Sequence, residues 1–147
     1  MKKASLEQFI NRYNLGGEVE SVKITSTDSE MKVSFISDDK TLLGEVTSKE
    51  GEFPNGEFGV YTTSQLKALL GVLESSMDVD STESYIKFSD KGTSVNYMLA
   101  DLSVIPVVPD LKAVPPMNVQ ITLDDDFTSK FIKSKGALSE SDTFTFE

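Results

Sequence analysis

The sequence predicts an α+β fold: repeated helix-plus-strands units with the helices on one face of antiparallel sheets. Hydrophobic pairs at helical spacing recur as Leu6/Ile10, Leu66/Leu70 and Phe127/Phe131, offset by 60 and 61 residues. After each of the first two pairs come several runs that alternate apolar with polar residues, the pattern of half-buried strands. Self-similarity at this period marks stacked supersecondary units, none of which buries its own apolar face alone.

The elements follow in order. "SLEQFINRYNLGG" reads as a helix whose inner face is Leu6, Phe9, Ile10 and Tyr13, with Ser5 and Gln8 as a capping box and Gly16 as a left-handed stop. "EVESVKITSTD", "EMKVSFISDD" and "LLGEVTSKE" are strands, marked by Val22/Ile24, Val33/Phe35 and Leu43/Val46. Asn55-Gly56 is a tight-turn pair. A second helix spans "TTSQLKALLGVLES", with Leu66, Leu69, Leu70 and Leu73 inward and Thr62 with Gln65 as its capping box. Its opposite face carries Ser64, Ala68, Gly71 and Ser75, all small. Three strands follow, "MDVDST", "SYIKFSD" and "TSVNYMLA", with a turn at Asp90-Lys91-Gly92.

Prolines interrupt residues 102–117, which excludes a helix interior or a central strand. This stretch is an extended connector that holds Val104, Ile105, Val107, Val108 and Leu111 at a surface. Beyond it, "NVQITLD" is a strand and "DDDFTSKFIKSKG" a helix with Phe127, Phe131 and Leu138 inward and Gly136 as its stop. "DTFTFE" is a last strand. The expected organisation is a first domain at 1–101, the connector at 102–117, and at 118–147 the start of a second domain, truncated at its C-terminal side.

Composition excludes several chemistries. With no cysteine there is no disulfide framework or thiolate site, and with no histidine the commonest general base and metal ligand are missing. No Walker loop, nucleophile elbow or dinucleotide glycine pattern occurs. Asp124–Asp126, or Asp78 with Asp80, are the carboxylates an Mg²⁺-dependent phosphoryl-transfer enzyme would use. Helix capping and a strand-edge turn account for them, so no enzyme, no metal and no cofactor is expected. The start of the chain is basic without a signal peptide's apolar run, and no stretch is long and apolar enough for a membrane helix. A soluble, cytoplasmic protein without a membrane partner is the expectation.

Net charge is −10, which argues against a general nucleic-acid binder, yet the positive charge is unevenly placed. Lys2, Lys3, Arg12, Lys67, Lys130, Lys133 and Lys135 lie in or beside the three helices, half of the fourteen bases. The strands, loops and connector are strongly acidic. Helices sharing one sheet face therefore make a surface that attracts a polyanion while the rest of the molecule repels it.

The stretches "FGVYTTSQLKALLGVLES", "YIKFSDKGTSVNYMLAD", "SVIPVVPDLKAVPP" and "VQITLDDDFTSKFIKSKGAL" resemble those of DNA sliding clamps, the polymerase processivity factors. The similarity is to the clamps of large tailed phages, with proliferating cell nuclear antigen a more distant relative. It rests on element order, spacing and hydrophobic pattern over residues 58–138. It implies domains built from duplicated units that close into a ring around duplex DNA, trimeric in an intact parent, with helices lining the hole. It implies that the chain tethers a replicative DNA polymerase, is loaded by a clamp loader, and works in a bacterial host if phage-encoded. It implies that the seven bases named above face DNA phosphates and that Val104, Ile105, Val107, Val108 and Leu111 border a docking pocket for partner peptides. The alternatives are a protein-interaction module that never touches DNA, an inactive clamp fragment, or the Mg²⁺ enzyme.

Overall fold

The computed structural model describes residues 1–49, 52–110, 116–141 and 143–145. The chain divides into two compact units, Met1–Asp110 and Leu111–Glu147. In the first, the order is α1 (Lys3–Asn14), β1 (Val22–Ser26), β2 (Met31–Ile36), β3 (Leu43–Ser48), β4 (Gly56–Val60), α2 (Thr63–Leu70), β5 (Asp78–Ser81), β6 (Tyr85–Ser89) and β7 (Ser94–Met98). The strands form an antiparallel sheet of order β3-β2-β1-β4 and another of order β5-β6-β7.

The two helix-plus-strands repeats exchange strands. The strand that enters α2, β4, pairs with β1, which follows α1, so that Ile24 lies opposite Phe58. Reciprocally, Met1 and Lys2, which enter α1, pair with Ser75–Met77, which lead into β5. The Lys3 N–H donates to the Ser75 carbonyl at 3.0 Å, and the Met77 N–H donates to the Met1 carbonyl at 3.1 Å. The Met1 ammonium closes the ladder on the Met77 carbonyl at 2.9 Å and meets Glu52 at 3.0 Å. Neither repeat completes its sheet without the other.

One core joins them. Leu6, Phe9, Ile10 and Tyr13 of α1 and Leu66 and Leu70 of α2 are buried with Ile24, Val33 and Phe58 of the larger sheet and Ile86, Phe88 and Tyr97 of the smaller. Each such side chain contributes roughly 1.5–3 kcal/mol when fully buried. A row Val46–Val33–Ile24–Phe58 crosses the larger sheet in register, so strand alternation sends the neighbours Lys23, Lys32, Glu45 and Glu57 to the other face. Both helices of this unit therefore cover the same, buried side of the sheets.

Two glycines permit close approaches. Phe35 lies opposite Gly44 on β3, and its ring occupies the space a side chain at Gly44 would fill. A Cβ at Gly59 would stand 2.4 Å from the Ala100 carbonyl, where the chain leaves β7 and the Ala100 N–H bonds the Gly59 carbonyl at 2.9 Å.

Several local expectations are corrected. Ser5 and Gln8 do not cap α1; it begins earlier, at Lys3, because the pairing of Met1–Lys3 with residues 75–77 fixes its entry. Its left-handed stop starts at Leu15 (φ 49°) and continues through Gly16 (φ 77°). Helix α2 ends at Leu70 rather than continuing to residue 75, since Leu73 turns into the core and residues 75–77 are taken into the sheet. Asn55-Gly56 makes no hairpin: β3 and β4 sit at opposite edges of their sheet, and Gly56 (φ 146°) opens β4.

In the second unit, α3 spans Asp125–Ala137, so Gly136 lies inside the helix and not at its stop. Residues 118–124 form no strand, because a ladder needs a partner and the described residues of this unit supply none. Their alternating apolar residues stay exposed, Val119 at 74% and Ile121 at 58%. Of the last strand, Asp142, Phe146 and Glu147 lie outside the described residues, and 143–145 are not in a strand. Phe127 and Phe131 stack at 6.3 Å and Phe144 meets Phe131 edge-on at 4.9 Å, yet Phe127 as well as Leu138 is exposed, against the inward face expected of them.

Candidate nucleic-acid interface

Each helix carries one more base than acid. Helix α1 has Lys3 and Arg12 against Glu7, α2 has Lys67 alone, and α3 has Lys130, Lys133 and Lys135 against Asp125 and Asp126. All remaining residues together are strongly acidic, given the total of −10.

The seven bases have different duties. Lys3 is half-buried, and its Nζ donates to the Leu73 carbonyl at 2.8 Å, tying the start of α1 to the chain leaving α2. Lys2 is the exposed N-cap of α1. Arg12, in the last turn of α1, is exposed beside a hollow of about 280 Å³. Lys67 lies in the last turn of α2, half-buried. In the second unit, Lys130 pairs with Asp126 at 2.7 Å, and Lys135 donates to the Ser141 carbonyl at 2.6 Å with its ammonium 5.6 Å from the Phe144 ring centroid. Lys133 is exposed. Among the described residues, Arg12, Lys67 and Lys133 have no carboxylate within ion-pair distance.

The helix start is held from the other repeat. Thr62 occupies the N-cap of α2 but its side chain caps nothing. The Glu20 carboxylate does so instead, accepting from the Ser64 N–H at 2.8 Å and the Ser64 hydroxyl at 2.9 Å. The Glu20 carbonyl accepts from the Thr63 N–H and hydroxyl, and Asn14 steadies the Glu20 side chain at 3.3 Å. Beneath this, burial pushes the Tyr13 phenol well above its ordinary value as it hydrogen-bonds Thr63 at 3.3 Å. At the other end, Asp90 accepts from the amides of Gly92, Thr93 and Glu74, and these bonds, led by that from Gly92, hold its carboxyl below the usual range. That clamps the β6–β7 turn to the residues after α2.

On the opposite face of the larger sheet, charges are paired across strands. Lys23 pairs with Glu57 and Lys32 with Glu45, each at 2.8 Å across neighbouring strands, and the Glu45 hydrogen bond raises the Lys32 pKa. The carboxylates considered for a metal are otherwise engaged or spread out. Asp124 caps α3 by accepting from the Phe127 N–H at 2.7 Å, Asp126 pairs with Lys130, and Asp78 and Asp80 are exposed along β5. Among the described residues, no three acidic side chains converge as a metal cluster.

The connector begins with a short 3-10 turn at Leu102–Val104, whose N-cap Asp101 accepts from the Ser103 N–H at 2.8 Å. Val104 and Val107 are exposed and Val108 is half-buried. Ile105 corrects the expectation: it is buried at 7%, because its side chain packs over Gly59. Leu111 lies outside the described residues. Sequence reasoning missed Glu20, whose target is 44 residues away, and Lys49, which the register of β3 brings to the Arg12 hollow. Neither carries a local signal.

No protein-family model matches the chain, and no curated protein matches it. Among solved structures, it is similar to the DNA polymerase III subunit beta from Pseudomonas aeruginosa, with a TM-score of 0.53 and 13% identity over 75% of this chain and 32% of that chain. It is also similar to the DNA polymerase III beta chain from Streptococcus pneumoniae TIGR4, with a TM-score of 0.51 and 16% identity over 79% of this chain and 34% of that chain. The chain thus spans about a third of the length of either structure. At these identities the likeness shows the fold, and the chain has the α+β clamp fold that its helix-plus-strands repeats predict.

Proposed function

We propose that this chain is part of a DNA sliding clamp, a processivity factor that encircles duplex DNA and tethers a replicative polymerase without chemistry of its own. The observation that carries the reading is the coincidence of fold and charge. A fold similar to DNA polymerase III beta subunits places α1 and α2 on one side of the sheets, and those helices carry the chain's local excess of base. Lys2, Arg12 and Lys67 face the phosphate backbone, Lys3 serves the helix start, and Lys130 and Lys133 do the same work from α3. The acidic remainder keeps DNA from other surfaces.

A clamp held by topology has no use for tight contacts, which would slow sliding. A few salt-sensitive bases suffice, each phosphate neutralised adding about −0.9 to the log–log salt slope. A polymerase bound near Val104, Val107 and Val108 gains effective concentration at the primer end. In this reading residues 102–117 connect the first domain to a second that begins at 118, the ring is built from several copies, and a clamp loader opens it.

The test is retention of the full chain on a relaxed circular duplex compared with the same circle cut once, followed by gel filtration at moderate salt. Retention on the circle and loss from the linear form is the expected result. Equal behaviour on both removes encirclement from the account.

A further inference from the structure

The candidate DNA-facing bases lie in or beside helices, but one hollow among the described residues joins a helix to a strand end. It lies between α1 and the end of β3, floored by the buried Phe9 and about 280 Å³ in volume. Two cations flank it, Arg12 from the last turn of α1 and Lys49 just past β3. Ser5 and Gln8 of α1 and Thr47 and Ser48 of β3 complete its wall with neutral hydrogen-bonding groups. Among the described residues no carboxylate lines it. Among the described residues neither Arg12 nor Lys49 is paired with an acid, in contrast to Lys23 and Lys32 on the other face of the sheet.

We infer that this hollow is a phosphate seat. A tetrahedral anion fits its volume. The planar guanidinium of Arg12 can present two parallel N–H donors to phosphate oxygens, while Lys49 adds a point charge from the opposite wall. The hydroxyls and amide supply donors to the remaining oxygens. Arg12 stands on α1 and Lys49 just past the end of β3, so two separate elements of one core bring the two cations to the hollow. In the context of the proposed function, on which this assignment rests, the occupant is a phosphodiester of the duplex backbone. The same chemistry would accept a free phosphate compound.

The experiment separates these sources. The full chain and the double variant Arg12→Gln/Lys49→Gln are titrated first with pyrophosphate, following backbone amide shifts, and then with a short duplex over a range of salt by fluorescence anisotropy. Lys87→Gln, on the exposed side of β6, serves as the control, and thermal midpoints confirm that all are folded. Expected are pyrophosphate-dependent shifts at Ser5, Gln8 and Thr47–Lys49 that vanish in the double variant. Duplex binding should weaken about tenfold at low salt, with a salt slope shallower by at least roughly 1. Pyrophosphate seated in the hollow with duplex binding unchanged by the double variant would overturn the assignment to DNA. Duplex binding that ignores the double variant, with no pyrophosphate shifts at the hollow, would overturn the seat and leave the clamp reading standing. Absence of any duplex binding together with localised pyrophosphate shifts would overturn the assignment to DNA and support a seat for a free phosphate compound.

Discussion

Replacing Glu20 by alanine tests whether the two repeats of the first unit are one folding unit. The substitution removes the acceptor for the Ser64 N–H and the Ser64 hydroxyl at the first turn of α2, and leaves Asn14 with one partner fewer. Thr62 cannot compensate, because its side chain makes no capping bond. Loss of a helix cap costs about 1 kcal/mol, and removing a negative charge from the positive end of the helix dipole costs about 0.3–1 kcal/mol more. The Glu20 carbonyl keeps both of its bonds from Thr63, so the backbone path is unchanged. The expected total is about 1.5–2 kcal/mol, with a thermal midpoint lowered by roughly 4–8 °C. Urea unfolding followed by circular dichroism measures it, and an unchanged m-value confirms that only stability moved. Glu20→Gln retains an oxygen acceptor and should lose about half as much. A cycle with Ser64→Ala should show coupling of at least about 0.5 kcal/mol. If Glu20→Ala unfolds within about 0.3 kcal/mol of the parent, α2 does not depend on the first repeat for its cap, and the reasoning fails.

Two further outcomes follow from the core. Gly59→Ala should destabilise by about 2–4 kcal/mol, since its methyl group collides with the Ala100 carbonyl and disrupts the seat of Ile105; Gly92→Ala, with open space around it, is the control, and equal urea midpoints for the two variants would contradict the close approach. Burial raises the phenol pKa of both Tyr13 and Tyr97, so the stability linked to keeping them neutral is complete below the unfolded value of about 10 and is lost as pH rises beyond it. Ultraviolet titration should show tyrosine ionisation that waits for alkaline unfolding and is smaller in Tyr13→Phe; ionisation of every tyrosine before unfolding would refute it.

What could be read in the sequence was whatever is local. Leu6/Ile10 and Leu66/Leu70 declare their helices by spacing, and both pairs are buried in one core. Val33 and Ile24 declare strands by alternation. Asp124 declares its cap because acceptor and helix start are three residues apart. Long-range choices were not legible. Asn55-Gly56 has a hairpin's residues, but β1 wins β4 because that pairing aligns Phe58 with Ile24 over the core. Residues 118–124 alternate as a strand does, yet alternation supplies no partner for a ladder. Ile105 looks like its exposed neighbours Val104 and Val107, and only the space left by Gly59 draws it inward. The candidate site divides the same way: charge counting nominates Arg12 and Lys67, whereas the engagement of Lys3 with Leu73 and the placement of Lys49 beside Arg12 required the fold.

The central claim is that duplex DNA lies against the helices and not against the outer face of the sheets. The chain has no cysteine, so single thiols can be introduced cleanly. Gln8→Cys and Ala68→Cys place one on the exposed side of each helix of the first unit, while Thr25→Cys and Asn96→Cys place one on the outward side of each sheet. Each thiol is coupled to a short photoactivatable cross-linker and irradiated with duplex DNA at low salt. The account predicts DNA adducts from positions 8 and 68 and background levels from 25 and 96. Equal cross-linking from all four, or adducts mainly from the sheet positions, would contradict it.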